Sequence, residues 1–149
     1  MFLDNWPENK KIIIQKGWAG FSSDKPLPHV FWVGKISHDQ LFRFASVIFH
    51  HGGAGTTASS LHAGKPQLIT PSIGDQFYWA KEMIRLGVGL RVSIKKWHIQ
   101  APRLIEKLSR LDKFQKSATR CADLLGKEKG PENAVSKLGQ FIKVKSVNH

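Results

Sequence analysis

The segment Phe49-His50-His51-Gly52-Gly53-Ala54-Gly55-Thr56-Thr57-Ala58 constrains this chain more than any other. It follows the short apolar run Ser46-Val47-Ile48-Phe49 and leads into a helical pattern from Thr56 to Ala63. Gly64 stands where a C′ glycine closes a helix, and Pro66 prevents its continuation. Strand, glycine turn and helix in that order place the turn at the carboxyl edge of a sheet, where α/β proteins bind ligands. Glycines let the backbone approach a ligand closely. The helix start then offers unpaired N–H groups and the positive end of a dipole. Thr56 and Thr57 add hydroxyl donors, and His51 stands just before the turn. These residue types favour an anion such as a diphosphate without naming it.

The rest of the chain repeats this alternation. Strand-sized runs occur at Lys11-Ile12-Ile13-Ile14, at His29-Val30-Phe31-Trp32-Val33, at Pro66-Gln67-Leu68-Ile69-Thr70 and at Val88-Gly89-Leu90-Arg91-Val92. A second helix is expected over Gln76 to Leu86, with Gly87 behind it. Near-continuous apolar strands alternating with helices predict an α/β fold, a Rossmann-like and mainly parallel sheet with flanking helices. Beyond Trp97 the pattern is helical only, so residues 98 to 149 form a mainly helical C-terminal part. There Leu104, Leu108 and Leu111 share helical spacing. So do Ala134, Leu138 and Phe141, beyond the breaker Gly130-Pro131. The last residues, 143 to 149, read as frayed.

A second polar cluster, Pro71-Ser72-Ile73-Gly74-Asp75-Gln76, leaves the next strand at the same edge. Asp75 alone would be a helix cap. Beside the glycine turn, Asp75 and Gln76 read as a carboxylate and an amide that grip sugar hydroxyls. Adjacent strand residues point to opposite faces, so His50 and His51 do not form a metal pair; His51 is assigned to the site and His50 is left open. No metal is expected. Gly53-x-Gly55-x-x-Ala58 also fits a dinucleotide fingerprint. Its acidic partner is wanted at a strand end, whereas Asp75 lies five residues beyond Thr70, so an NAD-binding Rossmann domain is the weaker alternative.

With 149 residues, the chain is one domain's worth. Its single cysteine, Cys121, excludes an internal disulfide or a cysteine-rich zinc site. A free buried thiol in a reducing, cytoplasmic compartment is expected. No apolar window reaches the length of a membrane span, and the N-terminus lacks a secretory signal pattern. The net charge is +12, and residues 95 to 149 hold 13 Lys/Arg against 5 Asp/Glu. That excess fits a solvated helical surface first and peripheral contact with an anionic membrane second. Nucleic acid is not expected as a partner.

These segments resemble the C-terminal domain of GT-B glycosyltransferases, above all the sterol glucosyltransferases and related antibiotic glycosyltransferases. The resemblance is carried by His50 to Thr57 (HHGGAGTT), Gly64-Lys65-Pro66, Pro71 and Gly74-Asp75-Gln76. Upstream it extends through Gly17-Trp18, His29 to Gly34, and Ser37-His38-Asp39-Gln40-Leu41-Phe42, which is similar to the family's PHDWLF. Downstream it includes Gly130 to Val135. It implies a UDP-sugar donor, with the diphosphate on His51, Gly53, Ala54, Gly55 and Thr56 and the sugar on Asp75 and Gln76. The uracil would lie near Gly34, Lys35 and Ile36. It implies no cofactor beyond that donor substrate. Ser59 occupies the place of the glutamate that holds the ribose in related plant enzymes. Ser37 and Gln40 replace the proline and tryptophan of the PHDWLF segment.

The resemblance further implies inverting transfer of a hexose to a hydroxyl on a sterol, lipid or other small molecule. The family's first domain carries the acceptor and the histidine base. Residues 1 to 149 are therefore expected to be a single donor-binding domain lacking its own first strand and the acceptor domain. A separate N-terminal chain is a possible partner, and the isolated chain is expected to be inactive. The alternative is a truncated, non-catalytic remnant or regulatory fragment that binds a UDP-sugar weakly or not at all.

Overall fold

The computed structural model describes Leu3, residues 6–16 and residues 27–127. Along the chain run β1 (Ile12–Gln15), β2 (Val30–Val33), α1 (His38–Phe42), β3 (Ile48–His50) and α2 (Ala54–His62). β4 (Gln67–Ile69), α3 (Gln76–Arg85), β5 (Gly89–Arg91), α4 (Trp97–Arg110) and α5 (Asp112–Gly126) follow. β1 and β2 form one parallel ladder. β3, β4 and β5 form a second in that order, with Ile48 opposite Gln67 and Gln67 opposite Gly89. Each of these ladders is parallel, so within each sheet the strands are joined by crossovers and their carboxyl ends lie along one edge.

β4 is the middle strand, and its successive residues divide the interior. Leu68 and Ile69 are both fully buried yet join different apolar clusters. That is the strand alternation expected of a sheet covered on both faces. Leu68 packs with Val30, Val92, Ala101, Leu108 and Phe114. Ile69 packs with Ala80, Met83, Val88 and Ala118, flanked by Leu61 and Cys121. α2 and α3 thus cover one face, α4 and the β1–β2 ladder contribute to the other, and α5 reaches both through Ala118 and Phe114.

The expected C′ glycines are present. Gly64 (φ 63°) and Gly87 (φ 71°) adopt the left-handed conformation that glycine takes without strain. At α2, Gly64 N–H donates to Leu61 O at 2.9 Å and Lys65 N–H to Ser60 O at 3.2 Å. At α3, Gly87 N–H donates to Ile84 O at 3.0 Å and Val88 N–H to Met83 O at 3.0 Å. Both ends are Schellman closures, which satisfy the last carbonyls of each helix.

Three expectations are corrected. α2 begins at Ala54 rather than Thr56, inside the glycine turn, with Gly53 as its N-cap. Leu111 does not continue the row of Leu104 and Leu108. The backbone leaves the helix there (φ −91°, ψ 103°), Leu111 is exposed, and Phe114 of α5 fills the core instead. Cys121 is a free thiol but only half-buried. Gly17-Trp18, Gly130 to Val135, the row Ala134, Leu138 and Phe141, and residues 143 to 149 lie outside the described residues. Among the described residues no helix is long and apolar enough to cross a membrane.

Candidate functional site

The glycine turn leaves β3 and enters α2 at once. The first helical bond runs from Thr57 N–H to Gly53 O at 2.9 Å. Ala54, Gly55 and Thr56 precede it, so their N–H groups have no carbonyl to meet within the helix and face outward from its start. Ala54 and Gly55 are exposed, Gly53 and Thr56 half-buried. His51 is exposed too. Its ring folds over Gly53, since a Cβ added at Gly53 would lie 2.6 Å from His51 Nε2. The site therefore combines a helix N-terminus with an imidazole on one small patch, an arrangement suited to an oxyanion.

Thr57, read from sequence as a second hydroxyl donor, is 1% exposed, and its hydroxyl is buried without a partner among the described residues. It does not face a ligand. The reason is helical geometry: Thr57 lies about 100° further around the axis than Thr56, which turns it onto the packed face of α2.

The second loop meets the first directly. Gly52 has φ 93°, and a Cβ there would come within 2.9 Å of Ile69 Cγ2 and 3.2 Å of the Gln76 carbonyl oxygen. Only glycine allows that approach. Gln76 is buried. Its side-chain oxygen accepts from Ser72 N–H at 2.9 Å, Ser72 Oγ at 3.0 Å and Ile73 N–H at 3.3 Å, which ties the 71–76 loop to α3. The sequence reading gave Gln76 to the sugar; its oxygen is occupied by its own loop, leaving the amide nitrogen for a ligand. Asp75 takes the N-cap position of α3 but makes no side-chain cap bond. Its Oδ2 accepts from Trp79 Nε1 at 3.2 Å, and the exposed carboxylate faces solvent.

Ile36 follows β2 at the sheet's carboxyl side, half-buried, and its carbonyl accepts from Gln15 Nε2 at 2.8 Å. The segment Ser37 to Phe42 that follows forms α1, with the His38 ring stacked on Phe42 at 4.5 Å. α1 packs against α2, which brings that segment to the flank of the glycine turn. Ser59 is half-exposed on α2, one turn beyond the helix start.

Sequence reasoning missed two features. One is an open groove of about 270 Å³ lined by Pro71, Phe77, Arg91, Val92, Ser93 and Ile94, next to the Asp75 loop. The other is the setting of His50. Gly52 N–H donates to His50 Nδ1 at 3.0 Å, and His50 Nε2 lies 2.9 Å from Gln67 Oε1. Burial, the largest influence, pushes the His50 pKa down to about 4; the Gln67 contact opposes this and the fields of His51 and His38 reinforce it. His50 is neutral at physiological pH and is no candidate base.

Residues 11–139 match the family model of the erythromycin biosynthesis protein CIII-like C-terminal domain. The chain belongs to this family. Its relatives include the sterol 3-beta-glucosyltransferase of Neurospora crassa, 34% identical over 145 residues, covering 89% of this chain and 9% of the relative. Among solved structures, the glycotransferase of kitacinnamycin superposes with a TM-score of 0.79 at 19% identity, over 87% of this chain and 34% of that one. Spinosyn rhamnosyltransferase SpnG complexed with thymidine diphosphate superposes with a TM-score of 0.76 at 21% identity, over 87% and 36%. The fold is thus that of the C-terminal domain of GT-B glycosyltransferases, and the chain spans a small part of its relatives' length. Membership in a glycosyltransferase family removes the NAD-binding alternative.

Proposed function

We propose that the edge formed by the 51–56 turn and the 71–76 loop binds a UDP-hexose for transfer to a hydroxyl of a sterol or other lipid. The observation that carries this reading is the start of α2. Three leading N–H groups, a half-buried threonine and the His51 ring converge where Gly52 lets the second loop come within contact distance. The helix N-terminus takes the diphosphate, His51 donates to a phosphate oxygen, and Asp75 holds sugar hydroxyls. In the transfer, the bond from the anomeric carbon to the diphosphate oxygen breaks and a bond to the acceptor oxygen forms. The electron pair leaves with UDP, where the helix dipole and N–H groups stabilise the growing charge. The acceptor's proton goes to a base, which the family resemblance places in an acceptor domain. The basic surface of α4 and α5 suits peripheral contact with an anionic membrane.

Calorimetric titration with UDP, UDP-glucose, thymidine diphosphate and NAD tests this. UDP and UDP-glucose are expected to compete for one site, and NAD to show no binding. Thr56→Val removes a charge-assisted hydroxyl–phosphate bond worth about 1.5–3 kcal/mol. Undiminished UDP affinity in a folded Thr56→Val variant sinks the assignment, and preference for thymidine diphosphate over UDP overturns the choice of base.

A further inference from the structure

His50 is the last residue of β3, 9% exposed, and the proposed transfer chemistry does not use it. Its two ring nitrogens have opposite duties. Nδ1 receives the Gly52 N–H at 3.0 Å, so it carries no proton. Nε2 faces Gln67 Oε1 at 2.9 Å, an oxygen that can only accept, so Nε2 holds the proton. Gln67 is fully buried, and its amide nitrogen lies 3.5 Å from Thr57 O and 3.6 Å from Met83 Sδ, so the amide is oriented from its other end as well. The chain of contacts runs from α2 and α3 through Gln67 and His50 to the peptide of Gly52.

That peptide sets the course of the turn. Gly52 stands at φ 93° against Ile69 and the Gln76 carbonyl, and the next residue is the N-cap of α2. With its N–H turned inward to His50, Gly52 makes no contribution to an anion cradle. Instead it determines how Gly53, Ala54, Gly55 and Thr56 present theirs. We propose that His50 is a positioning residue for nucleoside-diphosphate binding: as the Nε2–H tautomer it fixes the Gly52 peptide and so aims the leading N–H groups of α2 at the phosphates. This rests on the donor-site reading above. The titratable groups whose fields reach it, His51 and His38, both oppose its protonation and so favour the acceptor form.

The test compares three variants of the full chain by calorimetric titration with UDP, each well below its own melting temperature. His50→Asn puts an amide oxygen the same number of bonds from the backbone as Nδ1 and is expected to keep UDP affinity within about threefold. His50→Gln keeps a donor toward Gln67 but loses the Gly52 acceptor. His50→Phe keeps the ring volume and loses both contacts. The last two are expected to bind UDP about tenfold more weakly or worse, the scale of one buried N–H left without its partner. A packing role alone would rank Phe first, and that order overturns the proposal. Should the variants fail to fold, nitrogen NMR of the wild type at pH 7 still decides. Protonated Nε2 with bare Nδ1 supports the assignment, and a proton on Nδ1 overturns it. Wild-type protein that binds no UDP removes the donor site itself. Wild-type binding with the wrong variant order removes only the role of His50.

Discussion

Gly52→Ala is the substitution with the clearest structural cost, and Gly53→Ala beside it is the control. At φ 93°, Gly52 occupies backbone space where an L side chain costs about 1–2 kcal/mol. The new methyl would lie 2.9 Å from Ile69 Cγ2, a fully buried atom group at the end of β4, and 3.2 Å from backbone oxygen of Gln76. Neither neighbour is the free end of a flexible chain, so overpacking adds about 1–3 kcal/mol. The expected loss is about 2–5 kcal/mol. Gly53 has φ −61°, and the nearest atoms its added methyl would meet are those of the His51 ring, which is exposed and can swing away. Replacing an N-cap glycine by alanine costs about 1 kcal/mol, offset by about 0.4–1 kcal/mol from the stiffer unfolded chain. Gly53→Ala should therefore leave stability within about 1 kcal/mol of wild type while displacing His51 and weakening UDP. Urea denaturation followed by circular dichroism measures both. Equal midpoints for wild type and Gly52→Ala, with the same slope, would refute the close approach of the two loops.

Asp75→Ala is expected to weaken UDP-glucose much more than UDP, because the exposed carboxylate touches only the sugar in the proposed site; equal losses for the two ligands in calorimetry would make Asp75 a support for the phosphate turn. The pH dependence of stability follows from His50. Its pKa is depressed in the folded state from 6.5 to about 4. Between those values the unfolded chain binds more protons, so stability is fully present above pH 6.5 and is lost as pH falls toward 4. From pH 7 to pH 5 this group alone removes about 2 kcal/mol. Urea midpoints should show that loss in wild type and a smaller one in His50→Asn, and parallel curves for the two proteins would show that His50 is not buried neutral.

Much of the framework was legible because it rests on local rules. The β-branched runs at Ile12 and Ile48 and the closing glycines Gly64 and Gly87 each answer a requirement visible within a few residues. The start of α2 was not, because Ala54 stands between Gly53 and Gly55, and glycine is a poor helix former, so the segment reads as turn until the backbone is seen. The break at Leu111 escaped notice for the opposite reason. α4 and α5 are both amphipathic and abut, so the spacing of apolar residues runs on through a junction the backbone does not respect. Gln76 looked free for a sugar because nothing in its neighbours' identities shows that its oxygen is claimed by Ser72 and Ile73. His50 could not be assigned without Gln67, 17 residues away on another strand. Side-chain pairings at that distance carry no periodic signal.

The two Schellman ends have a mechanical consequence. A Cβ at Gly64 would touch Ala122 at 3.4 Å, one at Gly87 would touch Ser117 Oγ at 3.3 Å, and Gln115 Nε2 donates to Gly64 O at 2.8 Å. α5 therefore bears on the far ends of both helices whose near ends form the site. α2, with nine residues, is a strut about 13 Å long at about 1.5 Å per residue. A sideways slip of about 1 Å at its α5 end tilts it by about 4°, turning the row of N–H groups at the other end through the same angle. α5 acts as a common base plate for two struts, and their tips hold alignment only as well as that plate is seated.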